Sequence, residues 1–506
     1  MPLQPIDLIV FLLYMGGVTL LGSSFYKTNT SSEAFTLGNH SFPAWVVTMS
    51  IFATFVSSIS FLALPGNAYL TNWNAFVFSL SLPIASFVAV TFFVPLYRKI
   101  NSPSAYTYLE MRFGLWARVY VSACYLLTQV MRVGTILYLL ALPLNAMFGW
   151  DIVTIIAVTG LTVMAYSLLG GIQAVMWTDA IQGIVLISGA ILCLLYIWFS
   201  MPEGPGQVFA IAQENNKFSL GSFGLSLSEP TFWVVLIYGI FINLQNFGID
   251  QNYVQRYMAS KSDREAKRSA FQGGLLYLPV SLLFFLIGTS LFAYYTAFPA
   301  ELPTALREAG MSDRVFPYFI VYKLPAGLTG LLIASIFAAG MSTVSTSINS
   351  SSTVILIDYY QRFRRKAVSE KDSMRVLYGA SLVISILGIL IGIAMINVKS
   401  ALDAWWKLAS VFSGGMLGIF LLGAFVEKIN VRGAIIGVVL GLLLILWMSI
   451  SPLVWTEGAA KAWASPFHSY LTIVFGTVTI FLTGFLATLL VTGKRARRYE
   501  AVGEGR

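Results

Sequence analysis

The composition of this 506-residue chain excludes most soluble fold classes. Hydrophobic residues make up 57% of the chain and charged residues 10%, and apolar runs of about 20 residues recur from end to end. We therefore predict an all-α polytopic membrane protein. Cys124 and Cys193 fall inside apolar runs, and His40 and His468 lie far apart, so a disulfide framework, a zinc site or a catalytic triad has few residues to use. The sequence thus favours a transporter or channel over an enzyme.

The apolar runs predict about thirteen transmembrane helices, because runs of this length can cross a bilayer core of about 30 Å. In chain order the predicted spans cover residues 6–25, 42–65, 75–96, 118–146, 151–169, 177–200, 231–255, 270–296, 326–358, 376–396, 404–426, 431–450 and 468–493. An odd number of spans places the two termini on opposite sides of the membrane.

Basic residues are distributed unevenly between alternate loops. One set of loops, together with the C-terminal tail, holds 23 of the 31 lysine and arginine residues, including Arg118, Arg256 and Lys428, whereas the other set holds 7. Lysine and arginine accumulate in cytoplasmic loops. We therefore predict a plasma (inner) membrane protein with its amino terminus outside and its carboxyl terminus in the cytoplasm. The net charge of +9 is then a signal of topology, with the lipid bilayer rather than a nucleic acid as the partner.

The second predicted helix is rich in hydroxyl groups and ends at a proline. The stretch 50–60 holds five serine and threonine residues, and Pro65 follows. Local unwinding of such a segment would expose backbone carbonyl groups, including those of Ala53 and Val56, to an ion. The alternative is a kink without function, which is common in membrane helices.

A second candidate break lies in the seventh predicted helix, between Asn243 and Asp250. This segment contains asparagine, glutamine, glycine and aspartate at membrane depth. It lies five helices after the first break, which is the spacing expected when two five-helix halves form inverted repeats. The two breaks together therefore indicate a transporter whose binding site lies near the middle of the membrane.

Arg132 lies near the middle of the fourth predicted helix. An intramembrane arginine is costly to insert, so it should face a cavity or an acidic partner. Its planar guanidinium group suits a carboxylate. We interpret it as a substrate-binding residue. The alternative is an internal salt bridge, for example with Asp179 or Asp250.

A stripe of hydroxyl groups occupies the ninth predicted helix. At 3.6 residues per turn, Ser342, Ser345 and Thr346 share one face, Thr343 lies beside them, and the carbonyl of Ala339 lies one turn earlier. Hard oxygen ligands suit hard cations, and neutral oxygens suit a monovalent ion. The stripe therefore predicts a sodium site. Alternatively, these hydroxyls donate hydrogen bonds within their own helix or between helices.

Six motifs resemble, in order, those of the sodium/solute symporter family, and the resemblance runs from about residue 40 to 441. They are Phe52-Ala53-Thr54 with Ser57 to Ser60, Tyr106 to Phe113, Gly170-Gly171-Ile172 with Trp177 to Gly183, Asp250-Gln251 with Val254-Gln255-Arg256, Phe337-Ala338-Ala339 with Ser342-Thr343, and Lys428 with Gly433-Ala434. The resemblance implies a LeuT-like core of two inverted five-helix repeats. It also implies sodium-driven uptake of a small solute by alternating access.

The resemblance also implies ion sites. The positions that match the family's sodium site are the carbonyls of Ala53, Val56 and Ala339 and the hydroxyls of Ser342 and Thr343. Bacterial sialic acid symporters of this family have a second sodium site as well. Its positions match Asp179, Ser342, Ser345 and Thr346, with Asp179 supplying the negative charge, so two sodium ions per substrate are a hypothesis.

The substrate-binding positions of sialic acid symporters match this sequence in part. Arg132 matches the residue that holds the substrate carboxylate in sialic acid symporters, and Ser57 and Ser60 match hydroxyl contacts. Phe55 and Ser79 depart from the pattern, because they replace a small polar residue and a glutamine. We expect a carboxylate-bearing solute such as sialic acid or another sugar acid. The alternatives are a sodium-coupled carrier of neutral sugars or short monocarboxylates and, more remotely, an ion channel, although no repeated filter element is evident.

These interpretations divide the chain into six regions. They are a first helix with a cytoplasmic loop (1–41), a first inverted repeat (42–200), an extracellular loop (201–230), a second inverted repeat (231–426), two C-terminal helices (427–493) and a basic cytoplasmic tail (494–506).

Overall fold

The computed structural model describes residues 4–25, 31–307, 311–364, 368–398, 401–426 and 429–503. Within these ranges the protein is a bundle of helices, with one isolated β-bridge between Phe42 and Ser260. The predicted all-α class is therefore confirmed. The motif residue Lys428 and the loop residues Lys27, Arg365, Lys366 and Lys399 lie outside the described residues, as does Arg506, the last residue of the predicted tail.

The helices follow the predicted spans closely. In chain order they are α1 (Pro5–Ser24), α2 (Ser32–Leu37), α3 (Ala44–Phe55), α4 (Leu64–Leu70), α5 (Trp73–Ile100), α6 (Thr107–Phe113), α7 (Leu115–Phe148), α8 (Ile152–Phe199), α9 (Pro205–Glu214), α10 (Phe232–Ile249), α11 (Gln251–Ala259), α12 (Asp263–Ala297), α13 (Ser312–Lys323), α14 (Leu328–Val354), α15 (Glu370–Ala394), α16 (Ala401–Phe425), α17 (Val431–Val454) and α18 (Leu471–Gly503).

The predicted spans can be compared with the helices that are long and apolar enough to cross a membrane. Among the described residues there are 11 such helices, and a bent pair formed by α3 and α4 brings the number to 12. The predicted span 151–169 corresponds to the shorter apolar segment Ile152–Ala165 of α8, which a break at Gly171 (φ 52°, ψ −154°) separates from the span Gly171–Phe199. At 1.5 Å per residue that segment is about 21 Å long, which is less than the bilayer core. The count of thirteen is therefore not confirmed.

Both predicted helix breaks are present. After α3, Val56 adopts an extended conformation (φ −78°, ψ 120°). The chain resumes as a π-helix over Ile59–Ala63 that continues into α4, and the segment Ile59–Leu70 is bent by 58° from α3. Serine side chains compete with the backbone for hydrogen bonds, which favours such a break. After α10, Asp250 is likewise extended (φ −74°, ψ 126°) and begins α11. Helical hydrogen bonding is interrupted at both points, which frees backbone groups inside the bundle.

Helix α14 forms the centre of the bundle. In the most apolar stretch of α14, 94% of the residues are buried, whereas the corresponding share is 39% in α17 and 17% in α1. It packs against α3, α7 and α8. Its serines and threonines therefore face protein rather than lipid, and the polar stripe lies next to the break between α3 and α4.

Two arginines of the basic set are buried in the protein. Arg118 donates to Asp358 from Nε at 2.6 Å and to Glu110 from Nη1 at 2.7 Å. Arg256 is fully buried and forms an ion pair with Asp179. Both residues lie in helices and are paired with carboxylates, so they are part of the packed bundle and not of exposed loops. The predicted orientation of the termini stays a prediction.

Candidate functional site

A cavity opens where the break between α3 and α4 faces α7 and the break between α10 and α11. All five residues predicted to contact the substrate line this cavity, namely Phe55, Ser57, Ser60, Ser79 and Arg132. The lining also includes residues that were not predicted as contacts, among them Thr128, Gln129, Gln245, Asn246, Asp250, Tyr253, Tyr277, Trp405 and Ser413. The cavity is therefore aromatic on some sides and polar on others, as expected for a site that binds a polar organic solute.

Arg132 projects from α7 and is 8% exposed. Its Nη2 donates to the backbone carbonyl of Thr54 at 2.9 Å, and the guanidinium carbon lies 5.9 Å from the centroid of the Trp405 ring. No carboxylate oxygen of the described residues lies within the 4.0 Å that defines an ion pair. The guanidinium group thus carries its charge at the cavity with hydrogen-bonding capacity beyond its contact with Thr54.

Asp250 is the acidic residue of the cavity, and its charge is stabilised by its electrostatic attraction to Arg132 and by hydrogen bonds to another residue. Its Oδ1 accepts a hydrogen bond from the backbone N–H of Asn252 at 2.8 Å, because Asp250 caps the amino end of α11. Backbone N–H groups and the helix dipole stabilise a carboxylate at this position. Asp250 therefore has a structural partner, and Arg132 can face an incoming anion.

Phe55 forms an aromatic wall of the cavity. Its ring centroid lies 4.4 Å from that of Tyr277 and 5.6 Å from that of Phe247. Two serines of the lining are hydrogen-bonded, Ser60 with the hydroxyl of Tyr277 at 3.2 Å and Ser79 with the hydroxyl of Ser281 at 2.7 Å. A packed ring of this kind suits the apolar face of a solute, while hydroxyls can exchange their partners for a solute oxygen.

The five residues predicted for the sodium site come together beside the first break. The hydroxyl of Ser342 lies 3.1 Å from the carbonyl oxygen of Ala53 and 3.0 Å from that of Ala339. The hydroxyl of Thr343 lies 3.4 Å from the carbonyl oxygen of Val56 and 3.2 Å from that of Ala339. Because the break frees the carbonyls of Ala53 and Val56, five oxygens face one small volume. The donor set is neutral and hard, which suits sodium.

Two of the four residues predicted for a second sodium site, Asp179 and Thr346, lie in a charged cluster that the sequence did not reveal. Asp179 Oδ2 accepts hydrogen bonds from the hydroxyl of Ser50 and from Nη2 of Arg256, each at 2.7 Å. Nη2 of Arg256 also donates to the hydroxyl of Thr346 at 2.7 Å. The negative charge assigned to Asp179 is therefore balanced by Arg256, and the suggested ion pair between Arg132 and Asp179 is wrong.

Two oxygens of this cluster retain coordination capacity. Asp179 Oδ1 is buried and has no hydrogen-bond partner among the described residues. The hydroxyl of Ser345 donates to the carbonyl of Ser342 at 3.1 Å, so its lone pairs stay available. The predicted seventh span ends at residue 255, one position before Arg256, so the sequence carried no signal that this arginine is the partner of Asp179.

Comparison with known proteins identifies the family to which the chain belongs. A model of the sodium:solute symporter family matches residues 35–441. A sodium/sialic acid symporter of Proteus mirabilis (strain HI4320) is 33% identical over 484 residues, which cover 94% of this chain and 93% of that protein.

Two solved structures share the fold. A Na+-coupled sialic acid symporter in a substrate-bound, outward-open state matches with a TM-score of 0.88 and 30% identity, over 96% of this chain and 98% of that one. Mhp1, a transporter of the nucleobase-cation-symport-1 family, matches with a TM-score of 0.60 over 90% of this chain and 94% of its own. At 13% identity Mhp1 shows the fold alone, and that fold is LeuT-like, as predicted. The chain belongs to the sodium:solute symporter family and is a multi-pass membrane transporter with sodium as its coupling ion.

Proposed function

We propose that this symporter imports a carboxylate-bearing solute, of which a sialic acid or another sugar acid is the expected type, together with sodium by alternating access. Arg132 is the observation that carries the proposal. A buried guanidinium group costs roughly 2.5–3.5 kcal/mol to insert at the centre of a membrane helix. It has no ion-pair partner among the described residues, and it lines the cavity beside Ser57 and Ser60. A carboxylate arriving in the cavity would supply the missing partner.

The aromatic wall and the serines support a sugar acid over a simple anion. Phe55 and Tyr277 present ring surface, and Ser57 and Ser60 add hydroxyl groups to the same lining. Sugar acids combine C–H faces with hydroxyl groups, so they use both kinds of surface. A short monocarboxylate would satisfy Arg132 but leave much of the polar lining without a partner.

One segment connects the ion and the solute. Ala53 and Val56 provide carbonyl oxygens to the proposed sodium site, and Thr54 between them accepts the hydrogen bond from Arg132. Phe55, in the same stretch, lines the cavity. A sodium ion that draws the carbonyls of Ala53 and Val56 together would order this segment and so position the groups that hold the acid. Coupling then results from a shared piece of backbone.

We further propose that Asp179, Ser342, Ser345 and Thr346 bind a second sodium ion. Asp179 Oδ1 and the lone pairs of Ser345 support this assignment, because both lie beside a cluster of buried hydroxyls. Arg256 would then share Asp179 with the ion. The division of the helices into two inverted repeats at 42–200 and 231–426, and an outside amino terminus, are parts of the same proposal.

The test is uptake into proteoliposomes that contain the purified protein. N-acetylneuraminate, glucuronate, lactate and glucose are compared in an inward sodium gradient and in an equal potassium gradient, with protein-free liposomes as the control. We expect saturable, sodium-dependent uptake of at least one sugar acid and weak competition by glucose. Glucose outcompeting every acid would establish a neutral-sugar carrier, preferential uptake of lactate would establish a monocarboxylate carrier, and non-saturating flux would indicate a channel.

A further inference from the structure

A second side chain on α7 faces the cavity with Arg132. Gln129 lies three residues before Arg132, so the two share one face of the helix. Gln129 is fully buried, and both residues line the cavity. The sequence comparison with the family assigns no role to Gln129.

The amide of Gln129 has a defined orientation. Asn252 Oδ1 accepts a hydrogen bond from the hydroxyl of Ser350 at 2.5 Å, so the amino group of Asn252 points the other way. That amino group donates to Oε1 of Gln129 at 3.2 Å. Amide orientation is assigned from such networks, and this one places the carbonyl of Gln129 towards Asn252. Its amino group is consequently directed away from that network.

The amino group of Gln129 is left without a partner. Nε2 is buried and has no hydrogen bond to any described residue. A buried N–H donor without an acceptor is destabilising, and native structures rarely retain one without a reason. Because the residue lines the cavity one helical turn from Arg132, an acceptor atom of a bound solute can satisfy it.

We propose that Nε2 of Gln129 donates a hydrogen bond to the acid, on the carboxylate or on the oxygen next to it, while Arg132 binds the carboxylate. This inference rests on the proposed function. Two donors at a fixed spacing select solutes with two neighbouring acceptor oxygens, and they disfavour amines, which would present further donors. Gln129 is therefore a specificity-determining residue for oxygen-rich carboxylates.

Two substitutions separate this role from a structural one. Gln129→Glu keeps the oxygen that accepts from Asn252 and replaces the N–H donors by a carboxylate oxygen. Gln129→Met keeps the length of the side chain and removes both functions. Gln213→Glu on α9 makes the same chemical change at an exposed position and serves as the matched control.

The measurement is the KM and kcat of sodium-dependent N-acetylneuraminate uptake, or of uptake of whichever acid in the panel the parent transports best. We expect Gln129→Glu to raise KM at least about tenfold, as for loss of a hydrogen bond to a charged group. Gln129→Met should raise KM as well, but less, because it adds no negative charge. Gln213→Glu should match the parent. Thermal shifts induced by sodium without the acid should be unchanged in all three variants.

The outcomes distinguish this inference from the proposed function. A parent protein that transports no acid would overturn both. A parent that transports an acid, with a folded Gln129→Glu variant of unchanged KM, would overturn the role of Gln129 alone. The same conclusion follows if kcat and yield fall while KM is constant, since that pattern belongs to a structural residue. If the Glu variant does not fold, the KM of Gln129→Met decides in the same way.

Discussion

Arg256 and Arg132 are both buried inside this bundle, and their surroundings differ in one decisive respect. Arg256 is fully buried and donates to Asp179, Ser50 and Thr346. Arg132 is nearly as buried, but it has no carboxylate within ion-pair distance among the described residues and faces a cavity. Both positions are costly for a charge.

This difference indicates separate roles for Arg256 and Arg132. A buried cation with a resident anion stabilises the fold or tunes an ion site, because its charge is already balanced. A buried cation that faces a cavity and has no carboxylate within ion-pair distance keeps hydrogen-bond donors for an anion that enters from outside. Arg256 is therefore assigned to the architecture and the ions, and Arg132 to the solute.

The strongest test of this comparison removes Arg256. Arg256→Met leaves Asp179 as an uncompensated buried charge, which typically destabilises a protein by about 3–5 kcal/mol. Thermal unfolding of the detergent-purified variant should show this loss, and the double variant Arg256→Met with Asp179→Asn should recover most of it. The exposed Arg264→Met is the control. A single variant as stable as the parent would remove the structural role of Arg256.

Removing Arg132 should affect the solute instead of the fold. Loss of one partner from a buried charged pair weakens binding by about 2–5 kcal/mol, which is at least tenfold in affinity. Arg132→Lys and Arg132→Met should both lose affinity for the acid in a binding or uptake assay, since lysine lacks the planar fork. Sodium-induced stabilisation without the acid should change little.

The competing interpretation is that the charge of Arg132 is balanced by its electrostatic attraction to Asp250, which lines the same cavity. It predicts that Arg132→Met folds poorly and that adding Asp250→Asn restores the yield. A well-folded Arg132→Met protein that binds the acid as tightly as the parent would contradict the proposed substrate class, although the family membership would stand.

A smaller effect is expected at the first sodium site. Ser342→Ala and Thr343→Ala each remove one of five oxygens, and loss of a buried polar partner costs roughly 1–3 kcal/mol. The sodium concentration for half-maximal uptake should rise in both variants while the yield is retained. Ser347→Ala on the same helix is the control, because its hydroxyl has no partner among the described residues. Equal sodium dependence in all three variants would contradict the assignment.

The smallest expected effect concerns the second ion. Thr346→Val keeps the shape of the side chain and leaves the pair between Asp179 and Arg256 intact. It should reduce the Hill coefficient for sodium towards one and weaken sodium binding by about 1 kcal/mol. This substitution is a cleaner probe than Asp179→Asn, which would also strip Arg256 of its partner. A parent that already has a coefficient of one would remove the premise of this test.

Local features of this protein could be predicted from its sequence because their causes lie close together in the chain. Apolar run length predicts the helices, and hydroxyl-rich or amide-rich segments predict the breaks after Phe55 and Ile249. The hydroxyls of Ser342 and Thr343 share a helix face by periodicity alone. Arg132 could be identified because a charged residue in an apolar run is costly to insert unless it faces a cavity or an acidic partner.

Other features were decided by tertiary structure, because their partners are distant in the chain. Arg256 and Asp179 are separated by 77 positions, so the sequence pattern places the arginine in a loop although it is fully buried and paired. The free amino group of Gln129 depends on an amide 123 positions away, whose orientation depends in turn on Ser350. A sequence pattern specifies which polar groups enter the membrane. Only the packed bundle determines which of them satisfy one another and which are left to bind an ion or a solute.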